Sequence, residues 1–178
     1  MKRAAVALAV LGLALAGCND TSSETAQPTT TKPDIFNVCR DPGLSDAALL
    51  AAGLDPTTKR VTVDPPEGPS TFRICSWRPV DDRYAPTNYT IGVFSTSRTL
   101  DQLTTKEGVT VLRESTVNGR RALFTSERND PGCWLSMKAE QGMFTVDARQ
   151  LSQYGDQISD LCDLVTKHAE ALEPSLPK

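Results

Sequence analysis

Four cysteines set the tightest limit on how this chain can fold: Cys39, Cys75, Cys133 and Cys162. Whether they are thiols, ligands or bridges depends on where the chain resides. Its start addresses that. Lys2 and Arg3 precede an almost wholly apolar run from Ala4 to Ala16, AAVALAVLGLALA. A basic start followed by such a run is a secretory signal pattern. The run is short for a spanning helix, which needs about 20 residues. Outside the cytosol an even set of cysteines reads as disulfides, and four cysteines allow three pairings. The pairing of chain neighbours, Cys39–Cys75 and Cys133–Cys162, is preferred. Each bridge would close a loop of roughly 30–40 residues and stabilise the fold by on the order of 3–4 kcal/mol in the chain-entropy view. The alternative is four buried thiols. No pair sits at CxxC spacing, so neither a zinc site nor a thioredoxin-type motif is indicated. No metal and no cofactor is expected.

A fifth cysteine closes the apolar run. Leu15-Ala16-Gly17-Cys18 resembles the lipobox of bacterial lipoproteins. The resemblance implies cleavage after Gly17, diacylglycerol on the Cys18 thiol, and often a further acyl chain such as palmitate on the new amino group. Two or more chains anchor stably where one does so only marginally. Residues 1–17 are then a signal peptide, and the mature chain is held on the extracytoplasmic face of the cell membrane. The next segment, NDTSSETAQPTTTKPD, has no large apolar residue and cannot bury a core. Cys18 with this segment (18–34) reads as a lipidated tether, and its 16 residues would span on the order of 20–25 Å as a flexible coil. Residues 35–178 are left as one folded domain. Loss of Lys2 and Arg3 takes the net charge from −3 to −5. An acidic chain with no basic cluster argues against nucleic acid as a partner.

In the domain, SDAALLAAG (Ser45 to Gly53) has a capping serine, an Ala-Leu run and a terminating glycine, the marks of a short helix. Arg60 to Val63 reads as a short strand. Thr71 to Arg78 alternates Phe72 and Ile74 against Cys75 and Trp77, as a central strand would. Asn88 to Ser95 alternates Tyr89, Ile91 and Val93. Leu100 to Lys106 suits a short helix. Asn118-Gly119 sits between Val109–Val117 and Arg121–Thr125, the preferred two-residue hairpin turn. Cys133–Ala139 and Met143–Arg149 form another hairpin, with Phe144, Val146 and Ala148 on one face. Asp156 to Leu172 carries a stripe of Ile158, Leu161, Cys162, Val165, Ala169 and Leu172 at helical spacing. The expected class is α+β: an antiparallel sheet of five to six strands, a long C-terminal helix on one face and a short N-terminal helix.

The order of features resembles a known group. An early cysteine precedes an Ala/Leu helix. A Cys75-Ser76-Trp77 strand follows, then a Val117-Asn118-Gly119-Arg120-Arg121-Ala122 hairpin, Cys133, a cysteine-bearing helix and a Leu176-Pro177 end. Together they resemble the actinobacterial lipoproteins carrying the domain of unknown function 3558. That resemblance brings no established activity.

Candidate chemistry is sparse. The single histidine, His168, is expected at the surface or packed at the stripe's edge, and no G-x-S-x-G elbow accompanies it. Asp81-Asp82 and Glu127-Arg128-Asn129-Asp130 read as turns rather than metal loops. Asn88-Tyr89-Thr90 matches a sequon without weight here. Trp77 and Trp134 each lie beside a cysteine. Trp134 should face away from Cys133 and could join Tyr84, Tyr89 or Tyr154 on a binding rim. Arg120-Arg121 could meet an anionic lipid or phosphate, or simply protect a sheet edge. The candidate binding surface is therefore Trp77, Trp134, Arg120 and Arg121. The expectation is a non-enzymatic binding or interaction domain in the cell envelope, with a protein, lipid or glycan as partner. A carrier or sensor of a small apolar or lipid ligand, held between helix and sheet, is the alternative. An envelope enzyme comes third.

Overall fold

A computed structural model describes residues 34–40, 42–65, 70–80, 89–151 and 158–178, all within the compact unit Lys32–Lys178. The signal, Cys18 and the tether up to residue 33 lie outside the described residues. So do Asp81-Asp82, Tyr84, Asn88, Tyr154 and Asp156.

The Asn-Gly turn organises the second half. Asn118 and Gly119 take φ of 48° and 82° between β4 (Val109–Val117) and β5 (Arg120–Glu127). A two-residue turn with positive φ at both positions matches the twist of the strands it joins. Tight turns then lead to β6 (Asp130–Ala139) and β7 (Gly142–Gln150), with Glu127 opposite Asp130 and Ala139 opposite Gly142. The first half supplies β1 (Leu54–Val63), β2 (Phe72–Pro79) and β3 (Tyr89–Thr96). All pair antiparallel in the order β1-β2-β3-β7-β6-β5-β4.

The sheet thus has seven strands, not the five to six expected. The difference is β1. Only Arg60–Val63 has strand-like residues, but the strand starts at Leu54 and runs through Pro56 and Lys59. It is an edge strand, largely exposed, so burial imposes no alternation on it, and an edge tolerates proline.

Three helices complete the fold: α1 (Asp46–Ala51), α2 (Leu100–Thr104) and α3 (Leu161–Leu172). Ser45 caps α1 by accepting from the Ala48 N–H. A reciprocal Thr99–Gln102 capping box starts α2. The C-terminal helix is shorter than the span from Asp156, and Ile158 to Asp160 precede it outside the helix. A 3-10 turn, Glu173–Ser175, follows.

One face of the sheet is closed. Cys75, Val93, Val146, Leu135 and Phe124 form a row across it, each opposite the next. Ile91, Ala148 and Cys133 form the row beside it. All eight are buried. α3 lies over β6 and β7 on this face and buries Val165, Ala169 and Leu172 completely. Burial of such a side chain contributes roughly 1.5–3 kcal/mol for valine or leucine. The segment from Asp34 to α1 covers the rest with Phe36, Val38, Leu44 and Leu49. Cys39 is bonded to Cys75 on β2, and Cys133 on β6 to Cys162 on α3. Each bridge therefore fastens one cover to the same face. The N-terminal cover is also held by polar contacts. Asp34 pairs with Arg73 at 2.9 Å and accepts from the Ser70 N–H, and Phe36 N–H donates to Gln141 at 2.7 Å.

Of the two positions expected for His168, the surface or the packed edge of the stripe, it takes the packed one: it is 2% exposed. Its ring Nδ1 lies 2.7 Å from the Ala52 carbonyl, and its Nε2 lies 3.4 Å from the Tyr89 hydroxyl. Residue 168 falls between Val165 and Leu172 on the buried stripe, so it locks α3 to the end of α1. Burial, more than the nearby Lys167, lowers its pKa despite the bond to Ala52. A neutral ring donating to that carbonyl satisfies the site.

The Asn-Gly hairpin tip clasps the chain's end. Arg120 pairs with Glu173 at 2.7 Å, both nearly buried, and donates to the Pro177 and Leu176 carbonyls. Asn118 donates to the Glu170 carbonyl and to Glu173. Lys178 reaches Glu173 at 2.6 Å, and the Glu140 N–H donates to the Lys178 carbonyl. Burial pushes the Glu173 carboxyl up, but the bonds from Lys178 and Asn118 and the Arg120 charge outweigh it, leaving its pKa lowered.

Two outcomes follow from this packing. Arg120→Ala leaves the Glu173 carboxylate short of its buried partner and should cost about 3–5 kcal/mol in denaturant unfolding. Replacing Cys133 and Cys162 together by alanine should cost about 3–4 kcal/mol, and reduction of the wild type, which opens both bridges, should lower its midpoint further than that variant's.

Candidate functional site

The other face of the sheet is open, and its registers line residues up in three rows. Phe72 on β2 faces Thr96 on β3, which faces Met143 on β7. The next row runs Ile74, Phe94, Thr145, Ser136 and Leu123. The third runs Ser76, Gly92, Asp147, Trp134 and Thr125. Against one side stands α2, whose Leu100 and Leu103 pack on Leu123 and Met143. Between α2 and the sheet lies a concavity of about 620 Å³. Phe72, Phe94, Trp134, Leu103 and Met143 give it apolar walls, and Thr96, Thr125, Ser136 and Thr145 add hydroxyls. Its volume falls in the range that takes a small organic ligand.

The floor is polar where a sheet interior is ordinarily apolar. Thr96, Thr125, Ser136 and Thr145 are all buried. Ser136 and Thr145 bond to each other across strands at 2.7 Å. The Trp134 Nε1–H, opposite Thr125 in the lining, is buried and has no hydrogen-bond partner among the described residues. At the rim Lys106 pairs with Glu127 at 2.7 Å. Arg98 extends over the Phe72 ring at 5.9 Å, with no carboxylate partner among the described residues.

Beside the concavity sits a buried acid. Asp147 is 2% exposed, between Gly92 and Trp134 in its row. Gly92 makes the space: a Cβ there would stand 2.0 Å from Asp147 Oδ1. Arg149 Nε donates to Asp147 Oδ2 at 2.6 Å, and Arg149 also approaches Asp130 at 3.4 Å. The same guanidinium lies over the Trp134 ring at 4.7 Å, while Phe94 meets that ring edge-on at 5.1 Å. Burial pushes the Asp147 carboxyl up to about 6; the Arg149 charge opposes this, while Asp130 and Glu127 reinforce it.

The four residues expected on a binding surface are separated. Trp134 is on the open face, turned away from Cys133, and lines the concavity. Trp77 is in the closed core, 1% exposed, and reaches only the bottom of a separate hollow between α1 and β1. Arg120 is committed to Glu173. Arg121 is half-exposed and pairs with Asp101 and Glu114. With Lys138 and Lys178 it borders a different hollow of about 350 Å³ at the hairpin tip. Tyr89 is buried beside His168. Glu127 and Asp130 do flank a turn, as read from the sequence, with Asn129 at φ 66°. Among the described residues no group of His, Cys, Asp and Glu could hold a metal ion. No helix among them is long and apolar enough to cross a membrane.

Sequence reasoning missed Asp147, Gly92 and the hydroxyl row. One signal was available. Aspartate is disfavoured inside strands, and Asp147 stands in the middle of MFTVDAR. The polar side of that alternation reads as a solvent face until five strands are known to line up beneath α2.

Asp147 yields a pH test. Its pKa is raised from 3.8 to about 6, so between these values the folded state holds more proton than the unfolded chain. Stability contributed by this group therefore falls as pH rises through that window. The interval corresponds to about 3 kcal/mol. Asp147→Asn should gain stability relative to wild type by about that amount on going from below pH 3.8 to above pH 6. Urea midpoints of both proteins across the window check it; parallel pH profiles would contradict the buried-acid assignment.

No curated protein and no solved structure matches the chain. The family described as protein of unknown function (DUF3558) matches residues 13–175, from the end of the apolar run to the turn after α3. Over that span the chain carries the capped helix, the Asn-Gly clasp and the cysteine-bearing C-terminal helix, and it belongs to the DUF3558 family.

Proposed function

We propose that this protein is a non-enzymatic binding domain, tethered to the extracytoplasmic face of a membrane through lipid on Cys18, and that it binds in the concavity between α2 and the sheet. The observation that carries the reading is the asymmetry of the sheet. The face under α3 is filled by side chains, whereas the opposite face leaves aromatic and hydroxyl residues around about 620 Å³ of open space. A fold can be completed without such a space. Small-ligand sites characteristically combine a mainly apolar wall with a few polar groups. The carrier reading thereby gains a location, under α2 rather than under the long C-terminal helix.

The binding reading is favoured over an enzyme by the arrangement of the buried acid beside the concavity. Asp147 is hydrogen-bonded to Arg149 and covered by Trp134, so it faces its own neighbours rather than the concavity. The only histidine is consumed by a structural bond on the closed face.

Two experiments test the two halves. Cys18→Ser should abolish diacylglycerol labelling and release the protein from the membrane fraction or leave it uncleaved; unchanged labelling and retention would refute lipidation there. A photo-crosslinking amino acid at Gln102, on the exposed rim, should capture a bound partner in living cells, whereas one at Lys167 on the outer side of α3 should not. Equal labelling from both positions would remove the concavity as the site.

A further inference from the structure

We infer that the concavity takes a small amphipathic anion: a single-chain carboxylic acid whose apolar body lies along Phe72, Phe94, Leu103 and Met143, with its carboxylate at Arg98 and a second oxygen function at the Thr125 end. This rests on the reading of that concavity as the binding site and names what fills it.

The charges select an anion. Two cations line the space. Lys106 is neutralised by Glu127, the acid in the lining, whereas Arg98 has no carboxylate partner among the described residues. Its guanidinium is placed over Phe72, where the apolar wall begins. A cation at the mouth of an apolar trough matches a molecule with one charged end.

The hydroxyls select the other end. Thr125 lines the concavity, and opposite it the Trp134 Nε1–H is buried with no hydrogen-bond partner among the described residues. A buried donor without a partner is costly to leave unmade. Ser136 and Thr145 share one hydrogen bond, which uses one of their two O–H donors and leaves the second. From β2, beneath Arg98, to β5, which bears Thr125, the floor spans four strand spacings, about 19 Å. That separation asks for an elongated ligand.

Competing chemistries fit less well. A sugar needs the flat face of an aromatic ring, but Trp134 is 6% exposed, has Arg149 over its ring and Phe94 against it. An extended peptide would need a free strand edge, but β2, β3, β7, β6 and β5 are each paired on both sides. A bare inorganic anion would leave the apolar walls unused.

The test uses the full chain carrying Cys18→Ser, free of membrane, with isothermal titration against 12-hydroxydodecanoate and its neutral counterpart dodecane-1,12-diol. The acid should bind one-to-one and at least tenfold more tightly than the diol. Arg98→Gln should weaken the acid about tenfold and leave the diol within twofold. Thr105→Trp, a bulky residue at an exposed position on the mouth, should abolish both. If acid and diol bind alike and Arg98→Gln changes neither, the anion assignment fails while the site stands. If both still bind after Thr105→Trp, the concavity is not the site and the functional reading fails with it. No binding of either probe overturns the inference on ligand class, and the Gln102 crosslink then judges the site on its own.

Discussion

Both disulfides fasten a covering segment to the same face of the sheet. That constraint shapes the rest of the molecule. Cys39–Cys75 pins the N-terminal segment over β2, and Cys133–Cys162 pins α3 over β6. With both covers spent on one side, the other has, among the described residues, the five-residue α2. A seven-stranded sheet covered unequally has one face packed as a core and one face that must meet water or a ligand. The mixed lining of the open face is the consequence. It keeps phenylalanines and a tryptophan beside a line of hydroxyls that a sealed core would not retain.

Two ionic sites show how differently burial acts on the same carboxylate chemistry. Glu173 is surrounded by Arg120, Asn118 and Lys178, and its charge is favoured in spite of its burial. Asp147 has one cation, itself half-exposed and shared with Asp130, and its charge is disfavoured. The first closes the C-terminus onto the Asn-Gly hairpin. The second keeps Arg149 in place over Trp134 and so fixes the edge of the open trough. Gly92 belongs to this second site, because any larger residue would collide with the carboxylate.

The sequence disclosed what depended on local rules. The Asn118-Gly119 turn, the cap at Ser45, the alternation in Phe72–Trp77 and the helical stripe on α3 each follow from a few adjacent residues, and each is present. Misjudged or undecided elements depended on distant partners. β1 is an edge strand whose one paired neighbour is β2, and it is largely exposed, so its own residues carry no periodic mark. His168 stays open between surface and stripe edge in the sequence because its partners, Ala52 and Tyr89, lie 116 and 79 positions away. Trp77 and Trp134 look equivalent beside their cysteines, yet one is beneath the covers and the other on the open side. The candidate site was least legible of all. Thr96, Thr125, Ser136 and Thr145 come from four strands and share a surface only through cross-strand register.

The entry point of the N-terminal segment has a mechanical meaning. A pull on the residues before Asp34 would reach the sheet first through the Asp34–Arg73 ion pair and then, five positions later, through the covalent bridge to Cys75. Both anchor on β2. The covalent part of that path is a sulfur–sulfur bond near one margin of the molecule, while the Phe36–Gln141 hydrogen bond carries a weaker, non-covalent share to the turn between β6 and β7. Tension applied ahead of Asp34 would then fall first on β2, at the far side of the sheet from β5 and the Thr125 end of the trough.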